Sequence, residues 1–204
     1  MDKACAFILA LSQQPGPVAL AGLAAAALAL LLGDTPWHPL FLWPLSITLA
    51  ILAGGPPLCE MVLLRAALGT FATVILLVTR RARPHREWRL MLGSTAMRVL
   101  VGGLAAAVAV SFLNSTGLTI ENPEAWRALA GAGALGAVGA LVNRTPRGVA
   151  AGTIILLMAI EGALWLLRPS LVALAGSSIV ALAVALAGAL HQEVQADHAA
   201  EKGT

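Results

Sequence analysis

Apolar runs of roughly 15 to 22 residues, each closed by a short cluster of Pro, Gly or charged residues, fill nearly the whole chain, and that length is what a helix needs to cross a bilayer. An outer-membrane barrel would instead show segments of about ten residues with alternating polarity. Of the 204 residues 59% are hydrophobic and 11% charged, whereas a soluble domain carries about 25% charged residues to cover its water-facing surface. The expected fold class is therefore all-α, a polytopic transmembrane helical bundle, and no nucleic-acid partner is expected.

The breakers mark seven spans: Pro17 to Gly33, Leu40 to Gly55, Leu58 to Thr79, Leu90 to Leu113, Ala125 to Val142, Gly148 to Leu167 and Ser170 to Leu190. The second is short and carries Pro44, a kink that neighbouring helices can accommodate. The opening MDKACAFILALSQQPGPVA has neither a basic n-region nor a small-residue cleavage site, so it is not read as a cleaved signal. Residues 1–14 are left as a half-span or an interfacial piece.

Basic residues near span ends set orientation. The loop after the third span holds Arg80, Arg81, Arg83, Arg86 and Arg89, and the next loop, NSTGLTIENPEA, holds none. Placing the first loop inside also puts Arg144, Arg147 and Lys202 inside, against Lys3, Arg127 and Arg168 outside. The N-terminus is then outside and the C-terminus cytoplasmic, in a multi-pass protein of a bacterial-type cytoplasmic (inner) membrane. The cluster RRARPHREWR is a topology signal that also touches anionic lipid.

Chemistry is sparse. All four histidines (His38, His85, His191 and His198) fall in loops or the tail, which argues against a buried bis-histidine haem site, and no metal or cofactor is expected. Cys5 and Cys59 have no metal-type spacing and are read as buried free thiols. Gly131, Gly133 and Gly136 spell G-x-G-x-x-G, but inside an apolar span there is no strand before it and no aqueous phosphate site after it. With Gly139 these glycines form a small-residue stripe that admits a neighbouring helix closely.

What remains is charge in the wrong solvent. In NRTPRGVAAGTIILLMAIEGALWLL, residues 143–167, Glu161 stands alone in an apolar run near the expected middle of the membrane. A carboxylate there costs roughly 2.5 to 3.5 kcal/mol on insertion scales, so its retention points to a function. Arg98 lies deep in the fourth span and is the natural counter-ion by depth. Arg65 follows Glu60 by five residues, a spacing that does not align them on one face, so Arg65 needs a partner on another helix. Two readings stay open: a proton relay centred on Glu161, or charges paired only to hold helices together.

Residues 125–190 also resemble NuoK, the small three-helix subunit of respiratory complex I, and its relative MrpC of multisubunit cation/proton antiporters. The resemblance lies in a small-residue helix (AWRALAGAGALGAVGALV), a tight basic loop (NRTPRG), an apolar helix with a central glutamate (IILLMAIEGALWLL) and a third apolar helix. It divides the chain into a four-span region, 1–124, a NuoK-like three-helix region, 125–190, and a polar cytoplasmic tail, 191–204. The third span looks like the closing helix of the neighbouring NuoJ subunit. NuoK carries a second glutamate in its third helix, and residues 171–190 have none. The resemblance implies a non-catalytic accessory subunit of a complex I-like or Mrp-like ion-translocating assembly. Its proton-coupling residues would be Glu161, Arg98, Arg65 and Glu60, and its partners other membrane subunits that supply the missing carboxylates. A passive structural subunit or a small stand-alone transporter are the alternatives.

Overall fold

Pro15 sets the first turn of the architecture. A proline cannot continue a preceding helix but is well placed at the start of a new one, where its missing N–H is not needed. The computed structural model accordingly ends α1 (Asp2–Ser12) and begins α2 (Pro15–Leu31) across a bend of 97°. A short 3-10 helix (His38–Phe41) leads into α3 (Leu42–Ala53), followed by α4 (Leu58–Val78), α5 (Trp88–Ser115), α6 (Pro123–Val142), α7 (Pro146–Leu167) and α8 (Leu171–Glu201). The structure describes residues 2–32, 35, 37–54, 58–78, 88–115, 122–143, 146–167 and 171–201, and among them there is no strand.

Four of these helices are long and apolar enough to cross a membrane: Cys59–Val78, Met97–Ser115, Pro123–Val142 and Pro146–Leu167. The bent pair α1 and α2 makes a fifth if counted as one span. His38–Ala53 is apolar but no longer than 17 residues, hence at most about 26 Å against a hydrocarbon core of about 30 Å, and Gly176–His191 is an apolar part of the longer α8. Pro44 lies in the first turn of α3, where its missing N–H matters little and no kink is required. Arg80, Arg81, Arg83, Arg86, Arg144, Arg168 and Lys202, on which the orientation depends, lie outside the described residues. α8 continues past residue 190 to Glu201 without a break.

Side-chain burial assembles the helices into one core. α2 packs on α3 and α6, α3 on α4 and α7, α4 on α8, α5 on α6, and α7 on both α6 and α8. The contiguous apolar core runs from Ile8 of α1 to Ala185 of α8, so residues on both sides of position 124 share it. α5 is the outlier. Among its described side-chain positions only Arg98 and Gly102 are buried, one helical turn apart, while Met97, Leu100, Leu104, Val108 and Phe112 are exposed. Such an apolar outer face suits lipid.

The α6–α7 hairpin is the tightest contact. Asn122 caps α6 by accepting the Ala125 N–H at 3.1 Å, and Asn143 at its far end donates to the Gly148 carbonyl at 3.1 Å, fixing the turn into α7. A Cβ on Gly136 would sit 2.6 Å from the Leu156 backbone nitrogen, and one on Gly152 would sit 2.6 Å from the Gly139 carbonyl carbon. The two backbones touch there. The four glycines of the stripe do not share one neighbour: Gly131 faces Leu23 of α2, Gly133 faces Ala159, and only Gly136 and Gly139 meet Gly152.

Gly54 closes α3 at φ 62° and ψ −163°. That region is open essentially to glycine, so Gly54→Ala should lower stability by about 1–3 kcal/mol. The check is the Tm of the detergent-solubilised protein; an unchanged value would mean that α3 ends in another conformation.

Candidate functional site

The inward stripe of α4 is Met61, Val62, Arg65, Gly69, Ala72, Thr73 and Leu76, all buried at helical spacing. Arg65 therefore faces the core because of its register, and it is 7% exposed. Glu60 lies about 140° around the same helix and is exposed. The helix separates the two charges that sequence places five residues apart.

On α7 the buried positions include Ile154, Ile155, Met158, Ala159, Glu161, Gly162 and Trp165. Glu161 is 5% exposed. It lies six residues before Leu167, the last residue of α7, hence about 9 Å from that end. It is the sixteenth of the 22 residues of α7, in the final third of the helix.

The Glu161 carboxylate forms a salt bridge with the Arg65 guanidinium and accepts a hydrogen bond from the Ser177 hydroxyl of α8. Three helices meet at one charge. α3, α4, α8 and α7 pack successively around a ring, with α4 and α7 on opposite corners. The ion pair spans that diagonal. Among the described residues the buried Arg65 Nε–H has no acceptor.

Depth pointed to Arg98 as the counter-ion, but the carboxylate meets Arg65 instead. Depth fixes a residue's height along its own helix and says nothing of which helices are neighbours. α5 packs on α6 and α2, away from the ring. Arg98 is 2% exposed and has an interaction of its own.

One turn beyond Glu161, Trp165 donates its indole Nε1–H to the Gly54 carbonyl at 3.0 Å, joining the ends of α7 and α3. Sequence reasoning passed over both residues. Trp165 reads as one more apolar side chain in a span, and Gly54 as a breaker. A Trp165→Phe replacement keeps the packing and removes this one bond, so a loss of about 1 kcal/mol is expected, measured as a fall in Tm with unchanged secondary structure.

The cysteines overturn the reading of them as free thiols. Cys5 of α1 and Cys59 at the start of α4 form a disulfide with a Cα–Cα distance of 5.5 Å. Spacing could not reveal it because the two cysteines are 54 positions apart with α2, the 3-10 helix and α3 between them, and the 97° bend turns α1 away from the line of α2. The bond pins α1 at the end of α4 on which Arg65 lies. His38 is buried rather than loop-exposed, with its Nδ1 2.7 Å from the Thr35 carbonyl. Among the described residues, no three His, Cys, Asp or Glu side chains gather as a metal site requires.

The arrangement can therefore hold one negative charge in a dry interior, balanced by a guanidinium and a hydroxyl. Among the described residues, Arg65 and Ser177 are the groups that act on Glu161, and no second carboxylate does. Comparisons with protein-family models, with curated proteins and with solved structures find no match.

Proposed function

We propose that this chain is an accessory integral membrane subunit of a multisubunit proton- or cation-translocating assembly, and that the Arg65–Glu161 pair is its charge-coupling element. The observation that carries the reading is the pair itself, buried across the diagonal of a four-helix ring with Ser177 as a third partner. An ion pair in low dielectric is poised by small changes in its surroundings, because removing one charge upsets the balance by several kcal/mol. A charge arriving on a neighbouring polypeptide can draw Arg65 away and leave Glu161 to take up a proton.

The NuoK-like order of helices points the same way, with α6, α7 and α8 packed in sequence and the carboxylate on the central one. Among the described residues no carboxylate acts on Glu161, and in this proposal the remaining links belong to antiporter-like subunits beside it. The orientation with the N-terminus outside gains support from the disulfide, since the start of α4 would then face an oxidising compartment such as a periplasm. Anionic lipid at Arg80 to Arg89 and a bacterial-type inner membrane belong to the same proposal.

A second reading has its own observation. Because α4 and α7 stand across the ring, the salt bridge is also a clasp, and a subunit that only holds its assembly together would need nothing more. The two readings separate when both charges are removed together: a clasp can be replaced by apolar packing, whereas a coupling element cannot. Affinity purification of the tagged chain from native membranes provides the first check. Co-purification with large polytopic subunits is expected, and recovery of the chain alone would refute the proposal.

A further inference from the structure

The geometry points to Trp165 as the outer gate of the Glu161 site, a residue that positions no charge but controls whether water reaches one. The inference rests on the proposed proton exchange at Glu161, and its test reads accessibility alone.

Three observations converge on the indole. Trp165 follows Glu161 by four residues, so it lies on nearly the same face of α7 and about 6 Å nearer the helix end. Helical side chains lean toward the N-terminus of their own helix, which tips the indole back over the turn that holds Glu161. Trp165 is only 6% exposed although it stands in the last turn of α7. Its one polar atom is latched to the Gly54 carbonyl.

The surroundings fit a plug. α1 packs against α3 and α4 and is fixed there by the Cys5–Cys59 disulfide. The indole adds a large apolar body on the α7 side of the same end. Between the tip of α7 and Glu161 the described side chains of that helix are apolar: Gly162, Ala163, Leu164, Trp165, Leu166 and Leu167. In this proposal the indole closes the approach along that wall. Its movement breaks one hydrogen bond, to a carbonyl on another helix, and uncovers an indole that is otherwise part of the core.

Ser177 supplies a reporter beside the carboxylate. The sequence has two cysteines, and both are in the disulfide, so Ser177→Cys introduces a single free thiol at the site with a minimal change in size. The full chain, in its native assembly, is placed in right-side-out and inverted vesicles and treated with a membrane-impermeant cationic methanethiosulfonate. With Trp165 present, modification should be slow from both faces. Trp165→Ala should raise the rate about ten-fold or more from the face where α7 ends, and Trp165→Phe, which keeps the plug but loses the latch, by roughly three-fold, as expected when a local opening becomes easier. Rates unchanged in both variants, or a rise only from the opposite face, would overturn the proposal. If Trp165→Ala does not assemble, the Trp165→Phe rate decides alone. Because labelling needs no transport, this result stands or falls separately from the coupling role of Glu161.

Discussion

Glu161→Leu alone should destabilise the folded chain by about 3–5 kcal/mol, because it leaves the Arg65 guanidinium charged, buried and unpaired. The Ser177 hydroxyl loses its acceptor in the same step. Arg65→Met alone should cost a similar amount by stranding the carboxylate. Combining the two should recover most of the loss, since a buried ion pair replaced by apolar side chains of similar volume is often neutral or better. The double-mutant cycle, followed by Tm in detergent and by yield of assembled protein, gives a large favourable coupling if the pair is formed as described. Additive losses would show that the two side chains act on different parts of the bundle.

The second large effect lies away from the charges. Gly152→Leu should prevent α6 and α7 from meeting at all, and even Gly152→Ala places a Cβ 2.6 Å from the Gly139 carbonyl carbon. Backbone cannot yield as a side chain can. The loss should fall at the upper end of the roughly 1–3 kcal/mol seen for overpacking, or beyond it. Gly103→Ala is the matched control: a Cβ there meets nothing within 4 Å, and its Tm should be unchanged. Equal effects at the two glycines would mean that the hairpin is looser than its geometry implies.

These cases mark what the sequence makes legible. Run length and breakers suffice for an all-helical bundle, and the apolar runs of α4, α6 and α7 are readable almost to the residue. The Gln-Gln-Pro-Gly-Pro segment announces an interruption, though not that α1 turns by 97°. Periodicity also places Glu60 and Arg65 on different faces of α4. What pattern cannot supply is adjacency. Arg98 and Arg65 are both single arginines within apolar helices, and only the packing order, α5 on α6 and α4 on α8, decides which of them reaches the ring around Glu161. The disulfide and the Trp165–Gly54 bond are hidden for the same reason, each joining residues far apart in sequence, 54 and 111 positions respectively.

One short helix carries a related lesson. Seven apolar runs suggest seven complete crossings, but His38–Ala53 is too short to be counted with the four long helices. A run's length in sequence includes its breakers, and the 3-10 helix at His38–Phe41 takes up part of the second one.

The most direct test of the central claim is ion translocation by the assembly carrying Arg65→Met together with Glu161→Leu, compared with the native assembly at equal subunit content in sealed vesicles. If the pair couples charge movement, the doubly substituted protein should assemble and yet translocate at least about ten-fold more slowly, a barrier increase of roughly 1.4 kcal/mol or more. Translocation at the native rate by a fully assembled double variant would contradict the account and leave Arg65 and Glu161 as a clasp between helices.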